Sequence, residues 1–164
     1  MDVARKILQS LIDPNGATAQ ANKYVTLYSQ DVNINYIVVG NEVHLDDDVV
    51  RYILPAITNI QNAISSANLQ ITVSTTIDFG LITNTYPPDN GTFISDASAY
   101  ITPIINFLVN NGGPFIANVY PHYTYVNDND ISLDYALFRQ QGTDDARYQN
   151  LFDTMLDSIL MKLI

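Results

Sequence analysis

Three short apolar runs alternate along this chain with long stretches whose apolar residues recur every three or four positions. The runs are residues 34–39 (INYIVV), 70–74 (QITVS) and 115–119 (FIANV). Such alternation predicts parallel strands joined by right-handed helical crossovers. Helices are expected over residues 3–12, 17–29, about 47–67, 94–110 and about 146–163. Val3, Ala4, Ile7, Leu8, Leu11 and Ile12 form the apolar face of the first, which Asp13-Pro14-Asn15-Gly16 should stop. Ile53, Ile57, Ile60 and Ile64 mark the buried face of the third, and Asn111-Gly112-Gly113-Pro114 should end the fourth. Residues 83–92 read as a polar loop, and residues 127–130 as a turn between short extended pieces. No repeat or linker interrupts the pattern, so residues 1–164 read as one unit.

Charge narrows the partners. Seventeen acidic residues against seven basic ones give a net charge of −10. No basic patch is available to meet phosphates, which argues against nucleic acid and against anionic membranes. A neutral polymer or a small polar ligand is the better partner class. The chain has no cysteine, which excludes disulfides and thiolate metal sites. His44 and His122 lack metal-site spacing, so neither a metal nor a cofactor is expected. No stretch reaches the roughly 18 apolar residues of a membrane span. The first residues resemble an amphipathic helix and not a signal peptide.

Sixteen of the acids are aspartates, and the single glutamate is Glu42. It follows the apolar run 34–39 through Gly40-Asn41, at the carboxyl end of a buried strand, where α/β folds carry their chemistry. The ordinary alternative is a strand-end carboxylate paired with a loop cation. Asp46-Asp47-Asp48 reads as the start of the third helix, where acids favour the positive end of the dipole. Parallel strands should bring Asn41-Glu42, Ser74-Thr75, and Asn118 with Tyr120 and Tyr123 to one face. Tyrosine rings can stack on sugar faces while their hydroxyls bond sugar hydroxyls, although each ring alone is more often packing.

The stretch Tyr36-Ile37-Val38-Val39-Gly40-Asn41-Glu42-Val43 resembles the acid/base signature of plant β-1,3-glucanases, glycoside hydrolase family 17. Further blocks are similar to that family in order. They are Ile71-Thr72-Val73-Ser74-Thr75, Tyr86-Pro87-Pro88 with Gly91-Thr92-Phe93, Ala117-Asn118-Val119-Tyr120-Pro121, Tyr135-Ala136-Leu137-Phe138, and residues 148–157. The resemblance implies an α/β fold, part of an eight-stranded TIM (β/α) barrel with about three to four parallel strands and flanking helices. By comparison the chain starts at the tail of the third strand, with Asp2-Val3, and stops in the helix before the seventh. It is therefore expected to be truncated at both ends.

The resemblance also implies roles. Glu42 would protonate the leaving oxygen, Asn41 would bond the 2-hydroxyl, and Asn118, Tyr120 and Tyr123 would line the cleft for a β-1,3-glucan. The family's nucleophilic glutamate, in a Ser-Glu-x-Gly-Trp block, has no counterpart here, which leaves only aspartates such as Asp78 or Asp128. Weak activity, or none, is expected of the chain alone. A non-catalytic β-glucan-binding fragment is the alternative. A free-standing flavodoxin-like domain would need a glycine-rich phosphate loop, and no such motif is present. An open part of a barrel leaves unpaired sheet edges, so self-association is expected. The family resemblance implies a secreted (cell-wall) or vacuolar destination. Asn90-Gly91-Thr92 fits a glycosylation sequon and equally a turn.

Overall fold

The computed structural model describes residues 2–3, 5–85, 87–139 and 148–160. Ala4, Tyr86, residues 146–147 and the end of the last expected helix lie outside them. In chain order the elements begin with β1 (Asp2–Val3), a 3-10 helix (Arg5–Ile12), α1 (Pro14–Ala21), a π-helical turn (Asn22–Thr26) and β2 (Tyr36–Asn41). A 3-10 turn (Val50–Tyr52), α2 (Ile53–Ser66), β3 (Thr72–Asp78), a 3-10 turn (Phe79–Leu81), β4 (Ile82–Thr83), a further 3-10 turn (Pro88–Asn90) and β5 (Thr92–Phe93) follow. α3 (Ala97–Asn111), β6 (Ile116–Asn118), α4 (Pro121–Asn127), α5 (Leu133–Ala136) and α6 (Leu151–Leu160) complete the order. The chain divides into two compact units, Met1–Asp78 with Asp96–Ala117, and Phe79–Ser95 with Asn118–Ile164.

In the first unit the strands lie in the order β1-β2-β3-β6. β1 runs parallel to β2, with Asp2 opposite Val38, and β2 runs parallel to β3, with Tyr36 opposite Thr72. The expected parallel strands with flanking helices are present, and β1 stands at Asp2–Val3 as the family resemblance implied, so Val3 belongs to the sheet and the first helix, expected from residue 3, begins at Arg5. α2 shows why the layers cohere. Its buried residues Ile53, Ala56, Ile57, Ile60, Ala63 and Ile64 keep helical spacing and belong to one core with Ile37, Val39, Ile71 and Val73. Each fully buried isoleucine contributes roughly 1.5–3 kcal/mol.

Polar side chains of α2 complete the packing. Asn59 Nδ2 donates to the carbonyls of Leu11 and Ile12 at 2.9 and 3.0 Å, satisfying the end of the first 3-10 helix. Gln61 Oε1 accepts from the Val73 N–H at 3.1 Å. α3 ends as the Gly-Gly signal predicts. Gly112 takes φ +65°, and the Gly113 N–H reaches back to the Leu108 carbonyl at 2.8 Å, closing a Schellman motif.

Several expected boundaries move for physical reasons. Asp13-Pro14 starts a helix as well as ending one: Asp13 accepts from the N–H groups of Asn15 and Gly16 as N-cap, and Pro14 takes the first helical position. The acidic run Asp46-Asp47-Asp48 precedes the helix and does not occupy its first turn, which carries no acid. Asp47 Oδ2 instead accepts from the His44 N–H at 2.9 Å, closing a loop. β3 continues through Thr75, Thr76 and Ile77, because β-branched residues suit a pleated surface even when polar.

In the second unit β4 and β5 pair antiparallel, Ile82 opposite Phe93 and Thr83 opposite Thr92, closing the two ends of the stretch expected to be loop. The extended pieces expected around residues 127–130 are helical, α4 and α5. Pro121 stands in the first turn of α4, and the Ser132 hydroxyl caps α5 by accepting from the Tyr135 N–H. The turn itself is present, with Asp128 Oδ1 accepting from the Asp130 N–H. α6 opens on a reciprocal cap: the Asp153 N–H donates to Asn150 Oδ1 while Asn150 Nδ2 donates to Asp153 Oδ2. Leu151, Met155 and Ile159 form its buried stripe.

Candidate active site

The end of β2 is bent by one extra residue. Val38 faces Ser74 and Asn41 faces Thr76, so three steps along β2 match two along β3. This is a β-bulge, a device that re-aims the side chains beyond it. Gly40 stands inside it with φ +79°. A Cβ there would also lie 2.6 Å from Ile53 Cδ1, so the conformation favours glycine, and any larger residue must displace the end of the fully buried Ile53 side chain.

Glu42 follows the bulge. Its N–H donates to the Thr76 carbonyl at 3.0 Å, which ties it to β3 one step past the strand. Its own φ is +49°, in a region that costs a non-glycine residue on the order of 1–2 kcal/mol. The side chain is half-buried. Carboxylate oxygen Oε1 is buried and has no hydrogen-bond partner among the described residues. Glu42 makes no ion pair among the described residues, so the loop-cation alternative finds no partner there. Strained backbone and an unpaired acceptor on the same residue are features that persist where function requires them.

His44 Nδ1 lies 3.1 Å from Asp78 Oδ2, and Asp78 is the last residue of β3. The pair links the segments leaving β2 and β3. Residue spacing gave no sign of His44 because it acts on a partner 34 positions away. Asp78 entered the sequence reading only as a substitute nucleophile, and its carboxylate is held by His44. Ser74 and Thr75 were expected at that strand end, but β3 runs on past them. Both are buried mid-strand, and Ser74 Oγ donates to the Pro114 carbonyl at 2.7 Å.

Of the expected sugar-contacting residues, Asn41 ends β2 and is half-buried, and Asn118 ends β6. In the second unit Tyr120 caps the start of α4, its carbonyl accepting from the Tyr123 N–H at 3.0 Å. The helical turn sets the Tyr120 and Tyr123 rings edge to face, centroids 5.6 Å apart. His122 lies at the same distance from Tyr123. Tyr120 is 45% and Tyr123 62% exposed, too much for core packing to account for them. Together the three rings make an aromatic shelf, and sequence reasoning did not include His122 in it.

Residues 9–163 match the family described as glycosyl hydrolases family 17. A glucan endo-1,3-beta-glucosidase of Glycine max is 64% identical over 163 residues, covering 99% of this chain and 64% of that protein. Glucan endo-1,3-beta-glucosidase A of Solanum lycopersicum is 43% identical, covering 97% of this chain and 48% of its own length. Among solved structures, CJP38, a beta-1,3-glucanase and allergen of Cryptomeria japonica pollen, superposes with a TM-score of 0.93 at 37% identity. That match covers 99% of this chain and 54% of the other. The chain thus spans between about half and two-thirds of the length of these relatives. The folded core, the bulged strand carrying Glu42 and these matches agree, and the chain belongs to glycosyl hydrolases family 17.

Proposed function

We propose that this chain carries the proton-donating half of an endo-1,3-β-glucan hydrolase, with Glu42 as the general acid/base. The observation that carries the reading is the state of Glu42: held past a bulge in left-handed backbone, with a buried carboxylate oxygen that no described residue engages. A retaining glycosidase needs two carboxyl groups on opposite sides of the scissile bond. In the first step a carboxylate attacks the anomeric carbon, the bond from that carbon to the glycosidic oxygen breaks, and the Glu42 proton passes to the leaving oxygen. In the second, water attacks the same carbon, the bond to the nucleophile breaks, and Glu42 takes the water proton. Asn41 bonds the 2-hydroxyl of the sugar being cleaved. Asn118, Tyr120 and Tyr123 contact further glucosyl units.

The nucleophile is the open position. The 164 residues hold no second glutamate; of the aspartates weighed in its place, Asp78 is engaged by His44 and Asp128 Oδ1 accepts from the Asp130 N–H in a turn. We therefore assign the nucleophile to polypeptide outside these residues. The same fact favours the second reading, a β-glucan-binding piece without turnover. The purified 164-residue chain should bind laminari-oligosaccharides in calorimetry while releasing no reducing sugar. Turnover that Glu42→Gln abolishes would place both carboxylates inside the chain, and absence of binding would remove the glucan assignment. A secretory destination, to the cell wall or the vacuole, suits a wall polysaccharide as substrate. Further proposals are that residues 1–164 fold as part of one barrel domain and that its open sheet edges self-associate.

A further inference from the structure

We propose that Asn90 is an N-glycan attachment site. Asn90-Gly91-Thr92 is the single Asn-x-Ser/Thr triplet in the chain, so any N-linked glycan falls on one residue. The three positions have different duties in the fold. Gly91 is buried, and a Cβ there would lie 2.5 Å from the Ser158 carbonyl oxygen and 3.2 Å from that of Pro88. Thr92 pairs in β5, and its hydroxyl accepts from Asn84 Nδ2 at 3.3 Å. Asn90 is held through its backbone, its N–H donating to the Pro87 carbonyl at 2.9 Å.

The Asn90 side chain is exposed and makes no hydrogen bond among the described residues. Attaching a glycan there breaks no hydrogen bond to a described residue. The substrate chemistry is a polyprenyl-pyrophosphate-linked oligosaccharide. A bond forms between Asn90 Nδ2 and the anomeric carbon, the bond from that carbon to the pyrophosphate oxygen breaks, and the amide loses one proton. The packing of Gly91 also rules out proline at the middle position, the one residue that would disable the triplet.

The inference rests on the secretory destination proposed above only for its occurrence in tissue. The test is translation of the chain behind a cleavable leader in an extract containing microsomes, with an unstructured tail bearing a control triplet. Asn90 should add one endoglycosidase-sensitive glycan beyond the tail's, lost in Asn90→Gln and Thr92→Val and kept in Thr92→Ser. A modified tail with an unmodified Asn90 overturns the assignment. The glycosylated chain should melt together with Asn90→Gln, and loss of folded signal on glycosylation alone would equally overturn it. A tissue protein bare at Asn90, beside a modified microsomal product, would refute the destination and leave the acceptor assignment standing.

Discussion

Gly40→Ala is the perturbation that most sharply tests how the strand end holds Glu42. Two costs add at this position. Forcing alanine to φ +79° costs about 1–2 kcal/mol. Placing a methyl group 2.6 Å from Ile53 Cδ1, in a core where Ile53 is fully buried, costs a further ~1–3 kcal/mol. Gly112→Ala supplies the control: its φ is +65°, but a Cβ there meets nothing within 4 Å. Both substitutions restrict the unfolded chain equally, so that effect cancels between them. The difference isolates the clash. At ~2–4 °C per kcal/mol for a chain of this size, Gly40→Ala should melt about 2–12 °C below Gly112→Ala. The assay is thermal unfolding of the two variants followed by circular dichroism. Equal melting would mean that Ile53 gives way freely, and the rigid-bulge argument would fail.

Three further outcomes follow from particular residues. Asp13→Ala removes the N-cap of α1 and should cost about 1 kcal/mol in urea unfolding, with Asp13→Asn retaining most of it. Burial pushes the Tyr100 phenol up to about 12. The native state therefore favours the neutral form, and this contribution is complete below about pH 10 and lost as pH rises towards 12. Wild type should lose on the order of 2 kcal/mol more than Tyr100→Phe across that range, and parallel pH curves would contradict the burial. Light scattering after size exclusion should show concentration-dependent association, since β1 and β6 end the sheet order of the first unit. A monomer at every concentration would count against open edges.

Much of the architecture was legible because hydrophobic period reports burial directly. The isoleucines at 53, 57, 60 and 64 could face only one layer, and the runs at 34–39 and 70–74 only its sheet. Boundaries were less legible because one signal can serve two elements, as Asp13-Pro14 does between the first 3-10 helix and α1. Local propensity misled at residues 121–127, where Tyr123, Thr124, Tyr125 and Val126 favour strands but Pro121 stands in the first turn of a helix. Glu42 could be found because it is alone in its type and ends a buried run. The bulge that aims it could not, since only pairing with β3 exposes the extra residue. His44 and Asp78 meet through tertiary structure, which no short motif records.

The proton-donor assignment is tested most directly in a chimera, in which this chain replaces the matching 163 residues of the Glycine max relative. The chimera should hydrolyse laminarin. Glu42→Ala should lower that turnover by about 10²–10⁴-fold, with far less effect on an aryl β-glucoside whose leaving group needs no proton. Azide should restore release by forming the β-glucosyl azide. Laminarin turnover by the alanine variant within tenfold of the unmutated chimera would contradict the account.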